Sequence, residues 1–292
     1  PLLFNVMLEV IMALAQEDES GILVSGCRIN NLRFADDIAF LANEQQELQQ
    51  QISQLHSTST RFGLRISTSK TEVQCISRHP HALKISVGGV ELNHVENFTY
   101  LGGVISQDAR CEQDIRRRIN LATGIASSLQ TVWKERDISL RTKVRVYETM
   151  VLSVLLYNAE TWTMKAADES KIRAFEMSVL RRICGVSLRD KWRNDDIKAL
   201  LGIEIDVVER IQRRRLSYFG HVSRMKSDRV LLRMLNGRIH GNRPRGRPRR
   251  NWLDAVEEDC QERHITLLQA CRLTEDRGQW QKMVSGPPRR ST

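Results

Sequence analysis

The hydrophobic period of this chain changes near residue 110, and that change bounds what it can fold into. Before it, short apolar runs are broken by Gly, Asn, Asp and Ser. After it, apolar residues recur every three or four positions for long stretches, the mark of helices. Leu3, Val6, Val10 and Leu14, with Leu2, Met7 and Ile11 beside them, share one helical face, and the polar Gln16–Ser20 ends that helix. Residues 22–29 and 32–41 read as strands, with Asp36-Asp37 at the tip of a hairpin, because Asp is disfavoured inside strands and favoured in turns. A helix follows, with Asn43 as N-cap and Gln46 three residues on, a stripe of Leu48, Ile52, Leu55 and Phe62, and Gly63 at its end. Strands are expected at 64–66, 72–76, 83–87 and 90–92, the last two joined by Gly88-Gly89, and Phe98–Ile105 is a short extended or turning segment.

The helical half shows three clear stripes: Ile115, Ile119, Ala122, Ile125 and Leu129; Val144, Tyr147, Val151, Val154 and Leu155; and Ile172, Phe175, Val179 and Ile183. Residues 204–219 form an Arg-rich helix, Gly237–Arg250 a Gly/Pro/Arg linker, and Trp252–His264 a last amphipathic helix, with a disordered tail expected from Ser285. The fold class is therefore α+β, a small mixed unit to about residue 105 followed by an α-helical region.

Charge narrows the choice of partner. The 292 residues carry a formal charge of +10 with a pI near 9.6, and 41% of them are apolar, enough to build a core. Between Arg210 and Arg250 the only acid is Asp228, against fourteen Lys and Arg. A stretch so one-sided repels itself unless an anion lies on it, and nucleic acid is the common one. Six scattered cysteines without a CxxC pair suit reduced thiols in an intracellular protein, nuclear or cytoplasmic. No apolar run reaches the length of a membrane span, so no membrane partner is expected.

Asp36 and Asp37 are a costly pair, since adjacent like charges raise each other's pKa. A divalent cation removes that cost, and a carboxylate-held metal suits phosphoryl transfer. Leu32-Arg33-Phe34-Ala35-Asp36-Asp37-Ile38-Ala39-Phe40-Leu41 resembles the [FY]-A-D-D hairpin of reverse transcriptases, motif C. Pro1-Leu2-Leu3-Phe4-Asn5 looks like the end of motif B, and Gly63–Glu72 is similar to motif D, G-L-x-x-x-x-x-K-T. Phe98-Thr99-Tyr100-Leu101-Gly102 resembles the F-x-Y-L-G primer grip of non-LTR retrotransposon enzymes. Four matches stand in the family's order. Weaker ones follow at Glu160-Thr161-Trp162, Leu180–Ile183, Tyr218–His221 and Gly246–Arg249.

The resemblance implies a C-terminal fragment of an RNA-directed DNA polymerase. It would comprise a partial right-hand palm at 1–105, a helical thumb or connection at 106–236, and a basic linker, terminal helix and tail at 237–292. Asp36 would hold catalytic Mg²⁺ with Asp37 as a second contributor, Lys70 would assist proton delivery to pyrophosphate, and Phe98, Tyr100 and Gly102 would shape the primer grip. The partners would be an RNA template, a DNA primer or target, deoxynucleoside triphosphates and the N-terminal part of the same polyprotein. In the family, motif A lies upstream of motif B and supplies another metal-binding Asp. The chain starts inside motif B, so alone it is expected not to polymerise.

Nucleic-acid contacts are expected from Arg213, Arg214 and Arg215 and from Arg245, Arg247, Arg249 and Arg250. Arg245–Arg250 resembles an AT-hook core, in which Gly and Pro let Arg side chains enter a narrow minor groove; a flexible basic linker touching phosphates is the favoured reading, because phosphate contact needs no particular spacing. Cys260, His264 and Cys271, with His240, lack zinc-site spacing, so zinc is not expected. The five Trp residues could stack on bases or anchor helix packing, and His221 reads as structural. The other functional class open to the chain is a non-catalytic nucleic-acid-binding remnant or co-opted protein that uses its Arg-rich region.

Overall fold

The computed structural model describes residues 2–15, 20–77, 79–237 and 250–286. These fall into two compact units, Pro1–Thr99 with Ser106–Ala109 and Ser227–Pro244, and Tyr100–Ile105 with Arg110–Lys226 and Arg245–Thr292. Among the described residues no helix is long and apolar enough to cross a membrane.

The first unit opens with helix α1 (Leu2–Ala15), which packs on α2 (Gln45–Arg61). Leu8, Ile11, Met12 and Ala15 are its buried face, set against Leu55 and the half-buried Ile38, Phe40 and Leu64. The stripe read from sequence is the opposite face: Leu3, Val6, Val10 and Leu14 are exposed. This corrects the expected orientation. A helix whose only polar residues are Asn5 and Glu9 encodes weakly which of its apolar sides turns inward.

The segment expected as one strand at 22–29 is itself a hairpin, β1 (Ile22–Val24) and β2 (Cys27–Ile29), reversed at Ser25 and Gly26, both with positive φ. β3 (Asn31–Phe34) and β4 (Asp37–Phe40) form the expected next hairpin. α2 begins one residue later than read, with Glu44 as N-cap and no side-chain cap bond. Asn43 cannot serve, because its amide donates to the Gly21 carbonyl at 3.1 Å while its own N–H goes to Glu47. The Gly63 ending is as expected, at φ 74°.

Beyond α2 the strands are shorter than read. Residues 64–66 form none, and only β5 (Glu72–Val73), β6 (Ser86–Val87), β7 (Val90–Glu91), β8 (Asn93–His94), β9 (Asn97–Tyr100) and β10 (Gly103–Ser106) remain. β6 and β7 are joined through Gly88-Gly89, and β5 pairs β8 in parallel. Every described sheet has two strands. Such ribbons are marginal in water, so helix packing holds them: Val73, Ile85, Val87 and Leu92 bury against Ile52 of α2.

The second unit is helical: α3 (Glu112–Ser128), α4 (Gln130–Lys134), α5 (Leu140–Val146), α6 (Ser153–Leu155), α7 (Ala166–Cys184), α8 (Asn194–Leu201) and α9 (Val207–Ser223), with a π-helical turn at Tyr147–Leu152. Ile115, Ala122, Tyr147, Val151, Leu155, Ile172, Phe175, Val179 and Ile183 from the three stripes lie in one core. α10 (Val230–Asn236) belongs to the first unit, where its Arg233 carbonyl accepts from Ser25 Oγ at 3.2 Å. α11 (Trp252–Gln261), α12 (Leu267–Leu273) and α13 (Arg277–Ser285) complete the second unit. Each starts at a side-chain cap, Asn251, Thr266 and Asp276 respectively. Three packed helices thus stand where one was expected; the expected linker at 238–249 and tail at 287–292 lie outside the described residues.

Indole N–H groups stitch this unit together. Trp133 donates to the Ala126 carbonyl, Trp252 to that of Glu160 and Trp280 to that of Leu216. Gly220 makes room for the last of these, since a Cβ there would lie 2.1 Å from Trp280 Nε1. Four of the five Trp residues, Trp162 included, are buried or half-buried anchors, and Trp192 is the exposed one.

Arg215, 2% exposed, forms two bonds of 2.6 and 2.9 Å to Asp259 of α11 and a third of 2.7 Å to the Trp162 carbonyl. Burial pushes the Asp259 carboxyl up while Arg215 pulls it back, and the bidentate geometry is that of a carboxylate. Breaking one side of a buried pair leaves the other charge stranded, at about 3–5 kcal/mol. Arg215→Met and Asp259→Leu should each lower unfolding free energy by roughly that amount in urea titrations, and the double variant by clearly less than the sum.

Candidate metal-binding turn and nucleic-acid interface

Phe34 pairs with Asp37, which leaves Ala35 and Asp36 as a two-residue turn. Ala35 sits at φ 53°, left-handed backbone that disfavours a Cβ. Backbone of this kind persists where its surroundings over-determine it, and here Ile38 and Phe40 pin β4 into the α1–α2 cluster. Asp36 and Asp37 are both exposed at this end of the hairpin. Their donor chemistry fits Mg²⁺, which is commonly held by one or two carboxylates with phosphates and water filling the rest. Among the described residues no group of three His, Cys, Asp or Glu could hold a metal.

Lys70 is exposed in the turn Ser67–Lys70, where its N–H donates to the Ser67 carbonyl at 3.1 Å. No contact joins it to either aspartate. Phe98 lies half-buried in the first unit, whereas Tyr100 and Gly102 belong to the second.

Within the second unit, residues 101–104 are clamped by groups that sequence reading did not single out. Arg117 and Arg118 of α3 both donate to the Gly102 carbonyl. Tyr157 Oη donates to the Leu101 carbonyl at 2.8 Å, and the Arg118 guanidinium lies 4.3 Å from the Tyr157 ring centroid. Asp114, 4% exposed, accepts from Val104 N at 3.0 Å through one oxygen and from Trp162 Nε1 at 2.7 Å through the other. Gly103 is needed at its position, since a Cβ would meet Asn158 Nδ2 at 2.6 Å. In sequence Asp114, Arg117 and Arg118 look like the solvated face of a charged helix.

The three consecutive arginines of α9, Arg213, Arg214 and Arg215, have separate fates. Arg213 pairs with Glu209 at 2.8 Å. Arg214 is about half exposed and donates to the Leu156 carbonyl at 2.9 Å. Arg215 is the buried partner of Asp259, so the expectation that it reaches nucleic acid is corrected: its guanidinium is enclosed and its bonds are made within the unit. Arg250 donates to the Met164 carbonyl and to Glu258. Arg245, Arg247, Arg249 and His240 lie outside the described residues. Cys260 is buried, and burial pushes its thiol up to about 12.

Comparison with known proteins bears on both units. Residues 1–105 match the family of reverse transcriptases, RNA-dependent DNA polymerases. The N-terminal part of this chain is similar to reverse transcriptases. The matched segment contains the Asp36–Asp37 turn, Lys70, and the stretch from Phe98 to Gly102. An uncharacterized transposon-derived protein of Caenorhabditis elegans is 28% identical over 274 residues, 89% of this chain and 97% of that protein. An alignment of that length extends past the reverse-transcriptase-related segment into the helical unit.

Asp114→Ala removes the acceptor of two donors, one of them fully enclosed. It should cost roughly 2–3 kcal/mol in unfolding free energy and speed hydrogen exchange at the Val104 amide. Asp114→Asn, which keeps one acceptor oxygen, should recover part of both.

Proposed function

We propose that this chain is part of an RNA-directed DNA polymerase of a non-LTR retrotransposon. Residues 1–105 would be the later part of its palm and the helical unit its thumb. The observation that carries the reading is the pair of exposed carboxylates on a strained turn of an anchored hairpin, inside the segment related to reverse transcriptases. The transposon-derived relative supports the setting.

Asp36, with Asp37 beside it, would hold the divalent cation at the hairpin tip. When bound, that ion supplies charge neutralisation for a primer hydroxyl attacking a deoxynucleoside triphosphate and for the departing pyrophosphate. The cluster of hard ligands among the described residues stops at two, so a further carboxylate would come from elsewhere. The exposed Lys70 ammonium would donate a proton to the leaving pyrophosphate. Phe98, Tyr100 and the clamped Gly102 loop would set the path of the primer strand. Arg214, Arg250 and the Arg245–Arg249 run would meet phosphates of template and primer.

Mn²⁺ titration followed by electron paramagnetic resonance tests the metal assignment. The chain should bind one weak ion, and Asp36→Ala should remove it; equal stoichiometry in the two proteins would sink the assignment. In primer extension on an RNA template the isolated chain should be inactive. Extension that is abolished by Asp36→Ala would mean the metal site is already complete. Nucleic-acid affinity should be unaffected by Asp36→Ala and should fall steeply with salt, by about 0.9 in log–log slope for each duplex phosphate neutralised.

A further inference from the structure

One face of α9 presents Arg214, Ser217, Tyr218 and His221, at the i, i+3, i+4, i+7 spacing that stacks side chains in a row. With Glu160 from the short 3₁₀ turn Ala159–Thr161 they line a cleft of about 280 Å³ in the helical unit. Its floor is rigid, because Trp252 Nε1 donates to the Glu160 carbonyl at 2.8 Å and the Tyr218 and Trp252 rings meet edge to face at 5.9 Å. Arg215, next to Arg214, fixes the helix from behind through Trp162 and Asp259.

The polar groups in this cleft are only partly used by the protein. Glu160 Oε2 is shielded from solvent, takes no hydrogen bond among the described residues, and is ion-paired with Arg214 Nη1 at 3.7 Å. Arg214 gives that same nitrogen to the Leu156 carbonyl, and no described protein acceptor takes the rest of its fork. Ser153, Ser178 and Ser223 each return their hydroxyl to a carbonyl of the preceding turn. Ser217 makes no such bond and points outward, beside the exposed His221. Burial and the Glu160 charge push the Tyr218 phenol up, so it stays a donor.

Several donors on one wall therefore face a single acceptor that lacks a donor. A phosphate alone would satisfy the wall and leave Glu160 stranded, and a simple cation would do the reverse. A ligand with an anionic group and a hydroxyl or amine a few ångströms away satisfies both, and a nucleotide unit has that pattern. We propose that this cleft seats one nucleotide of a single strand, with its phosphate on Arg214, Ser217, Tyr218 and His221 and a sugar or base donor on Glu160. The proposal rests on the nucleic-acid reading above and deepens it by naming a site. Under it His221, expected above to be structural, would contact the phosphate.

The test uses the whole chain with labelled single-stranded oligonucleotides, RNA and DNA of one sequence, read by fluorescence anisotropy. Arg214→Ala and His221→Ala should each weaken binding, the former about tenfold and with the log–log salt slope reduced by about 0.7, one single-strand phosphate. Arg189→Ala removes the same charge from an exposed turn outside the cleft and should change affinity less than about twofold, the scale of one screened surface charge. Photocrosslinking should place the strand on the peptide carrying Ser217–His221. Preference for RNA would assign the Glu160 donor to the ribose 2′-hydroxyl, and equal binding would assign it to a base; either supports the site. Equal losses from Arg214→Ala and Arg189→Ala, or crosslinks confined to the Arg243–Arg250 run, would overturn the cleft and leave the nucleic-acid reading standing. Absence of any binding by the unaltered chain would overturn both.

Discussion

The helical unit depends on one buried ion pair. Arg215 reaches from α9 to Asp259 on α11 and to the backbone at Trp162, so three stretches far apart in sequence are registered by a single guanidinium. Around it the apolar contacts are generous but not directional. Hydrophobic burial alone tolerates sliding of one helix on another, whereas a bidentate bond with a third arm does not. The neighbouring indole bonds inherit their geometry from this fixed point, since Trp252 and Trp280 both dock on elements that Arg215 positions.

The triplet Arg213-Arg214-Arg215 shows how far sequence reading reaches. As letters the three are equivalent, and a basic run invites one role for all. Successive residues on a helix point about a hundred degrees apart, so one becomes a surface ion pair, one borders a cleft and one enters the core. Only the partner decides which, and Asp259 lies 44 positions away. The same blindness hid the clamp on residues 101–104, where Asp114 and Arg118 are buried by packing that helical periodicity does not record.

Other features were legible because their cause is local. The β3–β4 hairpin announces itself by turn residues between apolar runs, and the three stripes of the helical half by their period. The C-terminal helices start at caps Asn251, Thr266 and Asp276, but the amphipathic reading found only the first of these helices and named none of the caps. The orientation of α1 was not legible, because apolar residues flank its narrow Asn5–Glu9 strip on both sides. Among the candidate site residues, the paired aspartates were singled out by the apolar strands around them and their resemblance to the [FY]-A-D-D hairpin, since Asp in a turn is ordinary by itself. The cleft on α9 was missed because its members are ordinary residues, meaningful only when Glu160 is brought beside them.

The fit of Trp280 against Gly220 extends beyond packing. The indole fills the space a β-carbon would take, so it works as a plug and α13 as its stem. A chain shortened before that residue would keep its ion pair and most of its core, yet carry a slot one indole wide along α9. Loss of the last thirteen residues, 280–292, would then alter the surface of that helix while sparing the hairpin that carries Asp36 and Asp37. Frameshifts late in such a gene and point changes near its aspartates would therefore injure separable properties of the product.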